Sequence, residues 1–418
     1  MKVFKFGGFA VSTAANIKNL VKIINMNSTD QILIVVLVLG KTTDALEKLC
    51  KAYINNTEDA LLLLQEIKEF HEQILAELFG LNEHPVYDEI ANTFIEIEWI
   101  LEDEPHPEYD FNYDQIVSIG ELVSSKIIAA YLAECKISAK WIDARSYIHT
   151  DNSYREGIID WDKTSASILT LKEQVKNQTI ITQGFIGGTS ENFTTTLGRE
   201  GSDYSAAVFA SCIQAESITV WKDVPGIMNA DPALYSSAIK YEELPYSEAL
   251  ELAYYGANII HPKTIKPLQN VGIPLFVKPF LKPEESGTRI EKSARLNTDI
   301  QAIVLKKNQV LLTISTRDFS YMDEMYLSRL LKSFSETHIK LNMMQLSALS
   351  VSVCLDQDAG KLKRVTDMFE DKLLFSATEG FELLTVIYFR KEEIEQLIKG
   401  KTIIMEQFSK KTAQLVIK

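Results

Sequence analysis

Several short segments of this chain set cations, glycines and hydroxyls where an anion could be held. Lys5-Phe6-Gly7-Gly8 places an ammonium at the end of an apolar run and two glycines in the turn after it. Glycine lets backbone N–H groups approach a phosphate closely, and a helix after the turn adds the positive end of its dipole. The plain alternative is a tight strand-to-helix turn with Lys5 in solvent. Gly198-Arg199-Glu200-Gly201-Ser202-Asp203 offers a guanidinium for a carboxylate or phosphate, a glycine for close approach, and a serine able to cap a helix or touch a ligand. Asp203 is placed there to align a lysine or to contact a magnesium-bound phosphate; an ordinary capped helix start is the alternative. Residues 221–232 form a polar turn that suits the ribose and phosphates of a nucleotide, with Lys222, Asp223, Asn229 and Asp231 in it. Gly40-Lys41-Thr42-Thr43 resembles the tail of a phosphate loop. Val35 stands where that motif needs its first glycine, so a hydroxyl-rich substrate turn is the better reading. Glu121 in Ser-Ile-Gly-Glu, and Lys263 in the run 256–264, are ambiguous taken singly, and His261 beside Pro262 reads as structural.

These segments need elements to carry them. The order strand, glycine turn, helix, strand fills the first forty residues, and the run 32–39 is continuously apolar, as in a strand buried on both faces. Residues 44–110 are helix-rich and read as an inserted or appended helical subdomain. His71 next to Glu72 there reads as part of a solvated helix face rather than as a metal site. From residue 116 the β/α rhythm returns, with strands expected at 140–142, 179–182, 217–221 and 274–277. Glycines come after several of them, and open α/β sheets bind ligands beyond the carboxyl ends of their strands. Past residue 299 come strands at 310–315, 339–346 and 351–355, a helix at 362–369, a strand at 383–389, a helix at 392–399 and a strand at 414–417. They read as two successive small α/β modules. The expected division is a catalytic domain over 1–295, containing the 44–110 helices, and a paired module over 300–418.

Composition narrows the function. The 418 residues carry 43 Lys plus Arg against 57 Asp plus Glu, a formal charge of −14, which argues against non-specific binding of nucleic acid or anionic membrane. Four scattered cysteines without a C-x-x-C pair argue against disulfides or structural zinc and for a reducing compartment. No signal layout is visible at the start and no apolar run reaches a membrane span, so a soluble cytoplasmic protein is expected.

Taken together and in this order, KFGG at Lys5, GKTTDAL at Gly40, GE at Gly120, TQGFIG at Thr182, GREGSD at Gly198, DVPGI at Asp223 and HPKT at His261 resemble the aspartate kinases of the amino-acid-kinase superfamily. Residues 150–161 look like the short monofunctional bacterial type. The resemblance implies an open sheet sandwiched by helices, with a C-terminal tandem of ACT-like α+β modules that tend to join two chains as a homodimer. It implies phosphoryl transfer from ATP, with Mg2+, to the β-carboxylate of L-aspartate, giving 4-phospho-L-aspartate, the first step toward lysine, threonine and methionine. Lys5 would neutralise the transferring group, with Gly7 and Gly8 donating N–H groups. Arg199 would clamp a substrate carboxylate, with Thr43, Ser202 and Glu121, the last toward the amine. Asp203 would hold Lys5 or magnesium; Lys222, Asp223, Asn229, Asp231 and Lys263 would line the nucleotide. No metal-ligating protein cluster is implied.

The chain also departs from the family pattern. Ala10 and Leu37 stand where hydroxyls are usual, Ala233 where an arginine is expected, and Asn258 where a lysine is common. Those changes leave open a weak or silent paralogue that binds an amino acid in a regulatory role, and a different acceptor such as glutamate or acetylglutamate is a further reading. In the C-terminal pair Asn342 and Ala348 replace acids usual at the effector site, so a cationic effector would lose its counter-charges.

Overall fold

The computed structural model describes every residue except 58, 81–83, 176–177, 258–259, 296–297, 319 and 370–371, with the side chains of 173 and 175 also left aside. Asn258 therefore lies outside the described residues. By its contacts the chain divides into two units: Met1–Ile227 with Lys240–Ala253 and Asn258–Leu296, and Asn297–Lys418 with Met228–Ile239 and Tyr254–Ala257.

The first unit is an α/β sandwich. Its strands are β1 (Lys2–Phe6), β2 (Ile32–Val36), β3 (Ala139–Trp141), β4 (Thr179–Gln183), the hairpin β5 (Ile186–Gly188) and β6 (Thr194–Thr196), then β7 (Ser217–Lys222), β8 (Glu243–Leu244), β9 (Leu275–Pro279) and β10 (Thr288–Ile290). Apart from the separate hairpin they form one sheet in the order β3-β4-β2-β1-β7-β9-β10-β8, parallel except between β9 and β10. β2 is buried at every position, as its unbroken Ile-Leu-Ile-Val-Val demands. The register brings the strand ends level. Phe6 of β1 lies beside Val36 of β2 and Trp221 of β7, and Val36 lies beside Gln183 of β4. The turns after these four strands therefore leave the same edge of the sheet, as the glycine positions predict.

The helices are α1 (Ala14–Met26), α2 (Thr42–Asn55), α3 (Ala60–Phe79), α4 (Val86–Glu102), α5 (Tyr109–Glu134), α6 (Trp161–Leu169), α7 (Leu171–Val175), α8 (Gly201–Ile213), α9 (Tyr246–Tyr255) and α10 (Pro262–Val271). Leu64, Ile67 and Ile74 of α3 and Phe94 and Ile97 of α4 join one hydrophobic cluster with Phe6, Ile17 and Ile34, so the 44–110 helices share the core of the sheet. His71 corrects the solvated-face expectation. It is fully buried, with Nδ1 2.7 Å from the Ile67 carbonyl, and burial lowers its pKa to about 4. His261 caps α10 by accepting from Lys263 N–H. α5 is long and apolar enough to cross a membrane, but 72% of its most apolar stretch is buried inside the protein, where it serves as a core helix.

The second unit holds an antiparallel sheet in the order β12-β13-β11-β14-β16-β15, formed by β11 (Ala302–Thr316), β12 (Leu341–Leu346), β13 (Ser350–Asp356), β14 (Leu373–Ile387), β15 (Ile403–Phe408) and β16 (Thr412–Ile417). Three helices accompany it: α11 (Glu324–Glu336), α12 (Ala359–Met368) and α13 (Lys391–Leu397). β11 and β14 are each 15 residues long, and their pairing shifts register between Lys306 and Leu311. Beyond that irregularity, 309–316 joins β12, β13 and 373–378 around one apolar cluster with Leu330 and Val365. Before it, 302–306 pairs with 383–387, which with β16 supplies a second cluster around Ile394. The modules are thus nested, not successive: the second borrows its outer strand from the chain ahead of the first. The bulge explains why only the 310–315 half of β11 is legible in the sequence, since Lys306-Lys307-Asn308 breaks the apolar alternation.

Candidate active site

β1 brings Lys5 to the functional edge of the sheet between the buried Phe4 and Phe6, and only 5% of the lysine stays exposed. Its Nζ lies 2.5 Å from Oδ1 of Asp203 in the first turn of α8. The other oxygen of Asp203 is 3.5 Å from Nζ of Lys222, delivered by the end of β7, and Lys222 also lies 3.9 Å from Glu200. Burial alone raises the pKa of Asp203; Lys5 and then Lys222 outweigh it and hold the carboxyl below its ordinary value. Two ammonium groups thus flank one buried carboxylate. This pair of cations is in place to neutralise a polyanion, with the carboxylate keeping them fixed.

Close backbone approaches make the arrangement possible. A Cβ on Gly7 would stand 3.2 Å from the Lys5 ammonium, so the turn after β1 passes directly beside the cation. A Cβ on Gly184, just past β4, would meet Ser202 at 2.7 Å, so only glycine lets the start of α8 sit against the sheet edge. Ser205 fastens the same junction: its hydroxyl donates to the Gly201 carbonyl and accepts from Phe185 N–H. Arg155, Phe185 and Glu200 are non-glycine residues with φ of 66°, 74° and 58°. Such conformations cost roughly 1–3 kcal/mol each and persist where neighbours over-determine them.

Glu121 projects from α5 and is fully buried. Burial pushes its pKa well above the usual carboxylate range, against the pull of the Lys5 ammonium and the Val38 N–H. Among the described residues neither oxygen has a partner of full hydrogen-bond geometry, and the buried Thr182 hydroxyl on β4 lacks one too. Ser202 is buried, Thr43 is half-buried in the first turn of α2, and Gly8 opens a short 3₁₀ turn. Arg199 is exposed on the turn ahead of α8.

Asp223 is exposed past the end of β7. Lys263 lines a cleft of about 690 Å³ with Trp161, Tyr204, Cys212 and Lys266, bounded by α6, α8 and α10. Asn229 and Asp231 belong to the second unit, where Asn229 donates to the Gln301 carbonyl and accepts from Ile239 N–H, while Asp231 accepts from Ala233 N–H. Among the departures, Ala10 is fully buried and Leu37 leans on Gly8, its Cδ2 3.7 Å from where a Cβ there would stand. Motif reading alone does not single out Glu200 as a partner of Lys222, although its place in the GREGSD segment puts it within reach.

The residues fit a nucleotide's phosphates: paired cations, a glycine turn beside them and a helix N-terminus meet at one sheet edge. Among the described residues no three His, Cys, Asp or Glu gather as a metal site.

Comparison with known proteins agrees with this chemistry. The sequence model of the amino acid kinase family matches residues 1–279. The lysine-sensitive aspartokinase 3 of Escherichia coli is 33% identical over 244 residues, covering 58% of this chain and 54% of that protein. The chloroplastic aspartokinase 1 of Arabidopsis thaliana is 32% identical over 415 residues, covering 96% of this chain and 69% of the other. The chain thus spans about half the length of the bacterial relative. The solved structure of Escherichia coli aspartokinase III with aspartate and ADP superposes with a TM-score of 0.85 at 25% identity, over 100% of this chain and 96% of that one.

Proposed function

Because the chain belongs to the amino acid kinase family, and to its aspartokinases, we propose that it transfers the γ-phosphoryl group of MgATP to the β-carboxylate of L-aspartate. A carboxylate oxygen of aspartate forms the new bond to phosphorus as the bond to the ADP oxygen breaks, giving 4-phospho-L-aspartate and ADP. The nucleophile is already ionised at neutral pH, so no general base is needed, and placing two anions together is the main task. The observation that carries this reading is the Lys5–Asp203–Lys222 cluster at the sheet edge.

Each residue then has a task. Lys5 and Lys222 offset charge on the phosphates, Gly7 and Gly8 offer backbone N–H groups, and Asp203 keeps both lysines aimed. Arg199 takes a carboxylate of aspartate, with Thr43 and Ser202 as hydroxyl partners. Glu121 takes the substrate ammonium, which supplies the partner its buried carboxyl lacks. Mg2+ would ride on the phosphates and offset their charge, and Asp203 would be the residue to hold it. We place the enzyme in the cytoplasm as a homodimer through the nested modules.

The Escherichia coli relative is named for lysine sensitivity. In this chain Asn342 accepts a hydrogen bond from Lys306 at 2.8 Å and donates to Gln309 and Asp356. An internal lysine thus occupies the amide that would face a cationic effector, and we propose that free lysine leaves the activity unchanged.

The test is ADP release with MgATP and a panel of L-aspartate, L-glutamate and N-acetylglutamate. Release dependent on aspartate supports the reading, and preference for another acid overturns the substrate assignment. Release with none of them, together with stabilisation by aspartate and not by MgATP, would establish the silent amino-acid binder to which the buried Ala10 points.

A further inference from the structure

Asp114 lies on α5 seven residues before Glu121, two helical turns earlier on the same face. It is fully buried, and none of the site chemistry above uses it. Its Oδ2 accepts from the backbone N–H groups of Arg155 and Thr196, each at 2.8 Å, and its Oδ1 accepts from the Thr196 hydroxyl at 2.7 Å. Three donors from two chain segments therefore converge on one carboxylate.

Those segments bracket the arginine turn. Thr196 ends β6, three residues before Arg199, and its carbonyl accepts from Gly157 N–H. The Arg155 carbonyl passes 3.3 Å from where a Cβ on Gly198 would stand, and Gly198 itself has φ of 78°. Arg155 holds its left-handed conformation with its guanidinium 4.2 Å over the Tyr113 ring and 3.5 Å from Asp110. Gln115, next along α5, donates to the Thr194 carbonyl and accepts from Thr194 N–H. The first turns of α5 thus hold both the strand that leads into Gly198-Arg199 and the Arg155 segment that packs against that turn.

We propose that Asp114 is a positioning residue that sets the place of Arg199, and through it the affinity for the amino-acid substrate; this rests on the aspartate reading above. A neutral amide keeps only part of this arrangement: its oxygen can accept from both N–H groups, but its NH2 forces the Thr196 hydroxyl to turn from donor to acceptor, and the charge that strengthens all three bonds is lost. Burial raises the Asp114 pKa to about 6, so keeping it ionised at neutral pH works against folding. A group retained at such a cost is expected to act through geometry that activity needs.

The experiment is steady-state kinetics of the full chain with Asp114→Asn, Thr196→Val and Thr196→Ser, alongside melting temperatures. Asp114→Asn is expected to raise KM for aspartate roughly tenfold, with kcat and KM for MgATP within about twofold and the melting temperature little changed. Thr196→Val removes one donor and is expected to shift the same constant by about threefold, while Thr196→Ser, which keeps the hydroxyl, restores it. KM values for aspartate unchanged in Asp114→Asn and Thr196→Val, in an enzyme whose wild type is active, overturn this inference alone. Equal loss of kcat, both KM values and melting temperature in these two variants also overturns it, since that marks a merely structural group. A wild type without aspartate-dependent turnover overturns the reading beneath it as well.

Discussion

Lys5, Glu121, Asp203 and Lys222 come together in the first unit, and Lys306, Gln309, Asn342 and Asp356 come together in the second. The two groups use the same chemistry of ammonium, carboxylate and, in the second, amides. Yet in the first both Glu121 oxygens and the Thr182 hydroxyl stay short of partners among the described residues. In the second the buried Gln309 donates to Asp356 and accepts from Asn342, and Asn342 in turn accepts from Lys306. Buried polar groups without partners are costly, so a fold keeps them where a ligand completes them; a closed network needs no ligand. On the proposed function the first cluster receives a charged molecule, while the second is closed on the chain's own Lys306.

The largest effect that sharpens this contrast is loss of Lys5. Lys5→Met is expected to lower kcat by about 10³ or more, as removal of a group that offsets transition-state charge does, while KM for aspartate changes little. Steady-state kinetics at saturating MgATP checks it. Next comes Glu121→Gln, expected to raise KM for aspartate by about 10–100-fold through the lost charged partner of the ammonium. Its stability should move the other way. Glu121 has a raised folded pKa, so its contribution falls as pH climbs from the unfolded value near 4.5 toward the folded one. Melting curves should show the glutamine variant gaining on the wild type across that window and holding the gain above it. A variant less stable than wild type at neutral pH would break the contrast.

A subtler consequence is proton release. Burial raises the Glu121 pKa and an arriving substrate ammonium favours its ionised form, so aspartate binding should draw that pKa back down and expel a proton in the pH range between the two values. Calorimetry in buffers of different ionisation enthalpy measures this directly, and no buffer dependence would contradict it. The smallest effect belongs to the filled cluster. Lys306→Met should cost about 1 kcal/mol of stability, since one partner of Asn342 is lost, with kcat unchanged. Added L-lysine should alter wild-type activity less than about twofold, as expected where Lys306 already bonds the Asn342 amide.

Much of the first unit is legible in the sequence because its signals are local. Val3 to Phe6 with two glycines after it, and the unbroken apolar run at 32–36, each demand a buried strand and a turn wherever they occur. The second unit is harder because its strands alternate weakly. Residues 373–382 carry Ser376, Thr378, Glu379 and Gly380 on exposed positions, and 403–408 lies beside Lys399 and Lys401, so neither reads as a strand alone. Only pairing with β11 and β16 fixes them. In the site, Lys5 and Asp203 are visible from motif and turn. Asp114 is not, because its partners lie 41 and 82 residues away. The one trace it leaves is a carboxylate at the head of the apolar run Gln-Ile-Val-Ser-Ile-Gly-Glu. His71 misleads for the same reason: the charged neighbours Glu69 and Glu72 mark a solvated face, and the buried face shows only in three dimensions.

On the proposed function the paired cations at the sheet edge offset charge while the phosphoryl group of MgATP passes to an aspartate carboxylate. Trapping the product with hydroxylamine tests it most directly. With MgATP and L-aspartate the wild type should form the aspartyl hydroxamate, and Lys5→Met should form none above background. Absence of hydroxamate from the wild type, or equal yield from both proteins, would contradict the account.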